Sequence, residues 1–557
     1  MWSRGRRSHT RRRSFALLLA LLLLTAACTG DDTPDPQPPA SPTAAPEDLP
    51  TGGGTLRIGL ANDPRSIDPR FVADEEGELI VGALFEPLVR IDARGRAVPG
   101  AARAWSVSDD GTEITFTLRE ATFHDGQPVT ATDVKRTFDR IADGTADPPS
   151  FLAYLLSPIV GADAAAEGGG DLEGVEVVDE TTVVIRLVEP QPRYLLTLAD
   201  PSLVPTPEAA DEDPEGFGEA PIGNGPYSLV GPREPGGFVR LARVEGHHRE
   251  PELDEVVLQI YPDDPARNRQ WADLEAGLLH VADVGPAHLE EAAATYGISE
   301  DGSSGPGLLD GATSTVTMLG FDLTVPPFDD PVVRRALSQS IDRDALVEEV
   351  FGGTRRSADR LVPEGIPGSQ SGACDHCRYD PEGAAALLED AEIELPEEIE
   401  FTFNRGATNA AVAERIAADV SDALGVEVVL VPLELREYVP AVRRGEAPWF
   451  RLGWEANAPD PGAYLDPLFH SRNVGLDNLT RYADEETDEL LDAGRRATSE
   501  PEAVEAYAAA ERRILDAVAV APLVVNEHAR VVTEDIEGLV WLPSGRVDLA
   551  VVRFVQD

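Results

Sequence analysis

One apolar run near the start of the chain constrains how everything after it can fold. It covers thirteen mostly aliphatic residues, 15–27, and follows a segment that carries six arginines and no acid. The run is shorter than the ~20 residues of a membrane-spanning helix, and its basic flank is typical of a secretory signal. No second apolar run approaches spanning length. We therefore expect a signal peptide over residues 1–27, followed by roughly 500 exported residues that fold as several domains.

The end of this run predicts where the signal is removed. It reads Leu24-Thr25-Ala26-Ala27-Cys28, which resembles the lipobox of bacterial lipoproteins, where cleavage precedes a diacylated cysteine. Thr25 departs from the leucine that is usual three places before the cysteine. We expect lipid on Cys28, which would anchor the protein through its N-terminus to the outer face of the cell membrane. A free or buried cysteine is the alternative.

A tether and a strong negative charge follow. Residues 28–53 are rich in proline and poor in apolar side chains, so this segment is expected to be a linker that does not fold by itself. The formal charge of the chain is −53, and loss of the six signal arginines makes it −59. Such acidity excludes nucleic acid as an expected partner. It fits a protein of a saline habitat and, equally, a generic acidic exported protein.

Two cysteines and two histidines are candidate metal ligands. Cys374 and Cys377 flank a histidine, but no second Cys or His pair has the spacing of a four-ligand zinc site. In an oxidising compartment, a local disulfide between them is favoured. His247 and His248 lie in a polar segment where a solvated loop is favoured over a metal site. We expect no metal and no cofactor.

Local patterns predict both strands and helices. Apolar residues alternate at 56–60, 114–118 and 183–187, as in strands with one buried face. A capping box at 130–133 and capping residues before proline at 330–331, 380–381 and 499–501 predict helix starts. Strands and helices are mixed without a strict βαβ rhythm, which indicates an α/β or α+β protein of several domains.

Motifs of catalysis are missing from the sequence. It contains no Gly-x-Ser-x-Gly elbow, no His-Glu-x-x-His helix and no Walker or dinucleotide-binding loop. Carboxylates are too numerous for any pair to stand out as an acid/base couple. We therefore expect no catalytic residues and no enzymatic activity.

A series of short blocks carries the strongest signal about function. In order, they are Gly53-Gly54-Thr55-Leu56-Arg57-Ile58, Ser66-Ile67-Asp68-Pro69, Leu84-Phe85-Glu86-Pro87-Leu88, Phe123-His124-Asp125-Gly126, Gly223-Asn224-Gly225-Pro226-Tyr227, Arg334-Arg335-Ala336-Leu337, Ile341-Asp342-Arg343, and Gly453-Trp454 with Asp460-Pro461. Each block is weak alone. With all of them in this order, nearly the whole exported chain resembles the family 5 extracellular solute-binding proteins of ABC importers, which include dipeptide, oligopeptide and nickel binders.

The resemblance implies an α/β protein with a two-lobed, type II periplasmic-binding-protein fold and an extra α+β domain inserted in lobe I. By analogy, lobe I combines residues 54–84, 204–312 and 529–557, the extra domain spans 85–203, and lobe II spans 313–528. Ligand would lie in the cleft between the lobes, and closure would present a surface to the membrane permease. The implied partners are the permease and ATPase subunits of the importer, and the protein itself is expected to be a monomer.

The block around Trp454 is expected to line the cleft. In peptide-binding members, an aspartate three residues after this tryptophan holds the peptide's α-amino group, and Asn457 takes that place here. An amide lacks the charge that an ammonium needs in a closed cleft, so ordinary peptide binding is less favoured unless Asp460 or Asp63 supplies a carboxylate. Trp454 would form a flat apolar wall, with core packing as its alternative. Asn62 and Asp63 would face the cleft from lobe I.

The expected function is therefore that of a membrane-anchored substrate-binding protein. It would capture a short peptide or another small polar solute and deliver it to an ABC importer. Three alternatives stay open at this point: a solute-sensing receptor lipoprotein, a metal or metallophore binder of the same family, and a lipid-anchored secreted hydrolase.

Overall fold

The computed structural model describes residues 53–556, except for 73, 93–94, 234, 263, 265–266, 301, 457 and 543. Cys28 and Asn457, two of the residues singled out above, lie outside the described part of the chain. Within that part, no helix is both long and apolar enough to cross a membrane.

Strands and helices alternate irregularly along the chain. The strands are β1 (Thr55–Leu60), β2 (Val89–Ile91), β3 (Ala97–Pro99), β4 (Ala102–Val107), β5 (Glu113–Leu118), β6 (Val175–Asp179), β7 (Thr182–Arg186), β8 (Tyr227–Leu229), β9 (Phe238–Arg243), β10 (Glu255–Ile260), β11 (Val281–Asp283), β12 (Gly307–Leu309), β13 (Ala312–Phe321), β14 (Arg355–Ser357), β15 (Glu398–Asn404), β16 (Glu427–Leu433), β17 (Trp449–Glu455), β18 (Val520–Glu527), β19 (Arg530–Val532), β20 (Ile536–Glu537) and β21 (Arg553–Phe554). The α-helices are α1 (Glu75–Leu84), α2 (Ala131–Ala142), α3 (Ala162–Gly168), α4 (Ala209–Glu212), α5 (Pro214–Glu219), α6 (Asn268–Glu275), α7 (Leu289–Tyr296), α8 (Pro331–Gln339), α9 (Arg343–Phe351), α10 (Pro381–Asp390), α11 (Ala407–Leu424), α12 (Leu435–Arg443), α13 (Gly462–Phe469), α14 (Glu485–Arg496) and α15 (Glu500–Asp516).

Three larger sheets organise these elements. A seven-stranded sheet has the order β12-β19-β11-β1-β10-β9-β8, and a six-stranded sheet has the order β14-β18-β13-β17-β15-β16. A four-stranded antiparallel sheet, β4-β5-β7-β6, lies in sequence between β1 and β8 of the seven-stranded sheet. Each sheet contributes to hydrophobic cores of its own, so the chain has several centres of packing.

The local sequence patterns explain the elements they predict. In β5 the alternating residues Ile114, Phe116 and Leu118 are buried, as expected for a strand with one face in a core. Helix α2 begins with the predicted capping box, in which Thr130 N and Oγ1 both donate to Asp133 Oδ2, at 2.8 and 2.7 Å.

The other three predicted helix starts are also confirmed. Helices α8 and α10 begin at proline, and the preceding Asp330 and Asp380 accept hydrogen bonds from the first turn. Helix α15 begins after Ser499, whose side chain makes no capping hydrogen bond.

The chain passes between the seven-stranded and six-stranded sheets at two neighbouring connections. Residues 310–311 join β12 to β13, and residues 528–529 join β18 to β19. His528 N donates to Gly311 O at 3.1 Å, so the two connections lie side by side. A side chain at position 311 would meet Gly302 O at 2.6 Å, which explains the glycine. Two short adjacent connections of this kind allow one sheet to rotate relative to the other.

Two arginines from the sequence blocks have structural roles. Arg334 donates to the carbonyl oxygens of Phe328, Ala517 and Val518, at 2.6, 2.6 and 2.8 Å. Arg343 donates to the carbonyl oxygens of Pro522 and Cys377, at 2.7 and 2.9 Å. Both arginines are buried and satisfy backbone acceptors that the helices and strands leave open.

Cys374 and Cys377 are joined by a disulfide bond in the core of the six-stranded sheet. The histidine between them is buried, and its Nδ1 lies 2.9 Å from Ser338 Oγ. Burial, together with nearby arginines, lowers the pKa of His376 to about 3, so its ring is neutral.

Candidate functional site

An acidic cavity of about 720 Å³ lies between the seven-stranded and six-stranded sheets. Its size is within the range of small-molecule binding sites. One wall comes from α1, the loop before it and residues near β11, β19 and 544–546, and the opposite wall comes from β13, β14, β17 and β18. Residues 151–154 and 200, which belong to the region of the four-stranded sheet, form the rim.

Carboxylates dominate the lining of this cavity. The acids are Asp74, Glu75, Glu76, Glu78, Asp200, Asp283, Glu455 and Glu527, and the arginines are Arg267, Arg355, Arg530 and Arg546. Eight acids against four arginines give the lining an excess of negative charge. A solute that brings positive charge is therefore favoured over an anion.

On the wall next to the seven-stranded sheet, the carboxylates form ion pairs or hydrogen bonds with groups of the protein itself. Two arginines bind four carboxylates: Arg530 lies 2.6 Å from Glu75 and 2.6 Å from Asp283, and Arg546 lies 3.1 Å from Glu78 and 2.9 Å from Asp200. Asp74 caps α1 by accepting from Gly77 N at 2.8 Å. Glu76 accepts from Asn62 Nδ2 at 2.8 Å. These carboxylates already have donors, so none of them depends on a ligand.

Glu455 is the exception among the lining acids. It ends β17, opposite Thr315 of β13, and its side chain is exposed to the cavity. In the described part of the chain it pairs with no cation, and Ser314 Oγ contacts it only at 3.5 Å. Although Glu455 is exposed, the cleft walls reduce its solvation, and this raises its pKa, as does the nearby carboxylate of Glu75. A bound cation would relieve both effects.

Among the arginines that line the cavity, Arg355 differs from the others in its lack of an ion pair with the described residues. It begins β14 on the same wall, and it forms no ion pair with a carboxylate of the described residues. Its Nη1 donates to Thr354 O at 2.9 Å, and its guanidinium lies 5.4 Å from the ring centre of Phe351. Burial lowers the pKa of Arg355, yet an arginine stays protonated at neutral pH. This position is suited to a carboxylate.

The sheet fixes the separation of the two backbone positions that carry these charges. Arg355 is in register with Asn526 of β18, β18 pairs with β13, and Thr315 of β13 is in register with Glu455. Three strand spacings of ~4.8 Å place the two backbones on the order of 14 Å apart. One wall therefore carries a carboxylate and a guanidinium that form no ion pair with described residues, on backbones separated by about the length of a short extended peptide.

A second cavity of about 400 Å³, the adjoining cavity, shares Ala456, Ser544 and Arg546 with the acidic cavity. Its lining includes apolar side chains from four segments: Ile91, Ile366, Val540, Trp541, Leu542, Ala458 and Pro459. The combined cleft thus offers charged contacts in the acidic cavity and both apolar and charged contacts in the adjoining cavity.

Four of the residues expected to bind ligand are described by the structure. Of these four, only Asn62 lines the acidic cavity. Asp63 is turned away, since Arg233 Nη1 and Gly236 N donate to it at 2.7 and 2.6 Å. Asp460 is buried and held by Arg193 and by Gly462 N. Neither carboxylate is available to substitute for an aspartate at position 457.

Trp454 lies on the core side of β17. Side chains alternate along a strand, so Trp454 and Glu455 face opposite sides. Its ring packs against the core of the six-stranded sheet, and Nε1 donates to Ala463 O at 2.9 Å. It lines neither of the two cavities. The alternative of core packing therefore describes its contacts, while Glu455, which follows it, reaches the cleft.

The comparisons with known proteins agree with this architecture. A family model described as "Bacterial extracellular solute-binding proteins, family 5 Middle" matches residues 96–475. The Dipeptide-binding protein DppE of Bacillus subtilis (strain 168) is 25% identical over 518 residues, which cover 90% of this chain and 92% of DppE. Heme-binding protein A of Haemophilus influenzae is 29% identical over 437 residues, covering 74% of this chain and 76% of that protein.

A solved structure shares the fold. The structure of HbpA2 from Haemophilus parasuis superposes with a TM-score of 0.77 at 24% sequence identity, covering 90% of this chain and 100% of that one. The fold class expected from the sequence, α/β and two-lobed, is confirmed. The family consists of extracytoplasmic binding proteins and not of enzymes. With its family model matched over more than half of its length, the chain belongs to the bacterial extracellular solute-binding proteins of family 5 and serves as the substrate-binding protein of an ABC importer.

Proposed function

We propose that the cleft captures a short peptide with a free amino terminus and a free carboxyl terminus, for delivery to the importer's permease. The observation that carries this proposal is that Glu455 and Arg355, on one wall, form no ion pair with any residue that the structure describes. The peptide ammonium would bind Glu455, and the peptide carboxylate would bind Arg355. The amide of Asn62 adds a neutral hydrogen-bonding group on the opposite wall.

The separation of the backbones that carry the two charges indicates the length of the peptide. An extended chain rises at most about 3.3–3.6 Å per residue, so a span of about 14 Å corresponds to roughly four residues. Both side chains reach into the cleft, which favours peptides of about three to five residues. The adjoining cavity offers space for apolar side chains of the peptide.

Relatives of this chain have names that include both dipeptide binding and heme binding, so the ligand does not follow from the family. The charge pattern of this cleft is what favours a zwitterion here. Asn457 takes the place of the familiar aspartate, and Glu455 supplies a carboxylate two positions earlier on the strand.

Matched alanine peptides test the proposal. Peptides of about two to six residues are titrated calorimetrically in free, N-acetylated and C-amidated forms. We expect the free peptides to bind. Acetylation or amidation should weaken binding by about tenfold or more, because each removes one charge-assisted hydrogen bond worth ~1.5–3 kcal/mol. Equal binding of free and N-acetylated peptides would contradict the role of Glu455.

Variants assign each peptide terminus to a residue. With Glu455→Gln, free and acetylated peptides should bind alike, and with Arg355→Met, free and amidated peptides should bind alike. Glu427→Gln is the control, because Glu427 is an exposed acid of the same sheet that lines neither cavity. A uniform loss of affinity for all three peptide forms would point to a general disturbance of the cleft.

We further propose that residues 54–84, 204–312 and 529–557 form lobe I, that 85–203 form the extra domain, and that 313–528 form lobe II. The distribution of strands among the three sheets supports this division, as do the two connections at 310–311 and 528–529.

The protein acts as a monomer without catalysis, and the importer's ATPase subunits supply the energy. A peptidase assay on the peptides that bind tests the lack of catalysis, which any turnover would contradict.

We also propose that lipid on Cys28 anchors the protein to the outer face of the membrane. The sequence block that ends at Cys28 supports this assignment. Replacement by Cys28→Ser should release the protein into the medium or leave an unprocessed precursor. Full retention of a processed Cys28→Ser protein at the membrane would contradict a lipid anchor.

A further inference from the structure

Three side chains able to ligate a metal meet outside the cleft. Glu86 follows α1, and His247 and His248 lie in the loop after β9. The ligand atoms that the three residues offer lie within 4.8 Å of one another. None of the three lines the acidic cavity or the adjoining cavity. The cluster is therefore separate from the solute cleft and does not depend on the identity of the solute.

The side chain of Asn224 fixes the backbone of Glu86 through two hydrogen bonds. Glu86 N donates to Asn224 Oδ1 at 3.0 Å, and Asn224 Nδ2 donates back to Glu86 O at 3.2 Å. Glu86 is only 2% exposed. Its Oε2 lies 2.7 Å from His248 Nε2, while its buried Oε1 accepts no hydrogen bond from any described residue. The guanidinium groups of Arg90 and Arg249 face this oxygen from 3.5 and 3.8 Å without forming a hydrogen bond. A closer partner would therefore improve its contacts.

The two histidines are arranged for joint ligation. Their ring centres lie 4.6 Å apart with an interplanar angle of 37°. Arg249 N approaches His247 Nδ1 at 3.3 Å, a long contact that a metal ion can replace, and the same ring has a hydrogen bond to the backbone of Asn224. An outer hydrogen bond of this kind is typical of metal-bound histidine.

The surrounding charges limit the affinity. Arg90 Nε lies 3.5 Å and Arg249 Nη1 lies 3.8 Å from Glu86 Oε1. Both arginines also pair with Asp548, so two guanidinium groups face two carboxylates and the cluster is neutral overall. A dication would add net positive charge. We therefore expect the site to bind zinc more weakly than a site without neighbouring arginines.

We propose that Glu86, His247 and His248 bind a divalent transition metal of the zinc type. Two imidazoles and one carboxylate form a ligand set that suits Zn²⁺, with water as the fourth ligand. His248 is partly exposed and gives the ion access from solvent. The bound ion would tie the loop after β9 to the segment that follows α1.

Metal titration of the full exported protein tests the proposal. Protein stripped with a chelator is titrated with ZnCl₂ in the presence of excess Mg²⁺, which occupies the many surface carboxylates. We expect about one equivalent of Zn²⁺ to bind and the melting temperature to rise, since an ion that binds only the folded state stabilises it. Co²⁺ at the same site should give visible absorption bands of nitrogen and oxygen ligation.

Variants decide whether this cluster is the site. His247→Ala and His248→Ala should each weaken Zn²⁺ binding by at least about tenfold and abolish the melting-temperature rise. His288→Ala is the control, since His288 lies elsewhere and contacts Asn268. The same binding in both cluster variants as in the wild type would overturn the proposal, as would a wild-type protein that binds no Zn²⁺.

Discussion

Arg193 Nε donates to Asp460 Oδ2 at 2.6 Å and joins two regions that are distant in sequence. Arg193 follows the four-stranded sheet, and Asp460 lies in the loop after β17 of the six-stranded sheet. A second ion pair, between Glu189 and Arg495, connects the same two regions. These contacts explain why Asp460 does not face the cleft: its charge is used to hold the region of the four-stranded sheet against that of the six-stranded sheet.

Removal of this arginine should destabilise the fold. Arg193→Met leaves Asp460 buried without its cation, and we expect the free energy of unfolding to fall by about 3 kcal/mol. Arg193→Met/Asp460→Leu should recover part of the loss because no charge is left buried. Denaturant unfolding measures both variants. Arg186→Met is the control, since Arg186 pairs with the exposed Glu113 and Glu176 and should cost at most about 1 kcal/mol. Equal effects of the two arginine substitutions would contradict the importance of the buried pair.

Trp454 should contribute to stability more than to binding. Trp454→Phe keeps an aromatic ring in the core and removes the hydrogen bond to Ala463 O. We expect the free energy of unfolding to fall by about 1 kcal/mol, while peptide affinity stays the same. Urea unfolding and calorimetric titration measure the two quantities. If affinity falls instead by ~1–3 kcal/mol and stability is unchanged, Trp454 is a stacking wall of the cleft, as the sequence suggested.

Glu78 should make stability depend on pH. Burial raises the pKa of Glu78 to about 7, despite the opposing effect of Arg546, whereas the ordinary value is 4.5. The folded protein therefore keeps a proton that the unfolded chain releases. This contribution is fully present below about pH 4.5 and is lost as the pH rises to about 7.

The variant Glu78→Gln isolates this effect because glutamine does not titrate. The melting temperature of the wild type minus that of Glu78→Gln should become more negative between about pH 5 and about pH 8. A difference that stays constant, or that rises with pH, would show that Glu78 titrates with an ordinary or lowered pKa.

The disulfide should contribute modestly to stability. Cys374 and Cys377 are three positions apart, and closing so short a loop removes little entropy from the unfolded chain. The double variant Cys374→Ser/Cys377→Ser should lose about 2 kcal/mol of unfolding free energy, and its peptide affinity should be unchanged. Guanidinium unfolding with and without reducing agent provides the measurement. A wild type unaffected by reductant would show that the bond does not form in solution.

The sequence predicted elements whose signals are local. Alternation marked β1, β5 and β7, and capping residues marked the starts of α2, α8, α10 and α15. Partners across the sheets were not visible, because they lie far away in the chain. Thr55 of β1, for example, is in register with Glu255 of β10, two hundred positions later, and no local pattern encodes that pairing.

The same limit explains the site residues. Asp63 and Asp460 were expected in the cleft because the blocks around them resemble cleft segments. Their charges are taken by Arg233 and Arg193, which are 170 and 267 positions away in sequence. Glu455 could have been found, because alternation along β17 puts it on the face opposite Trp454. Nothing in the sequence marks Arg355, whose role depends on β14 pairing at the sheet edge.

The cleft should bind its solute through the carboxylate of Glu455, which forms no ion pair with the described residues. Native mass spectrometry of wild-type protein and the Glu455→Gln variant, purified in parallel without denaturation, tests this most directly. We predict that the wild type carries a solute with an ammonium or guanidinium group. The bound fraction should fall by about tenfold or more in the variant, as expected for loss of a charge-assisted contact of ~1.5–3 kcal/mol. A bound anion, or equal occupancy in both proteins, would contradict the claim.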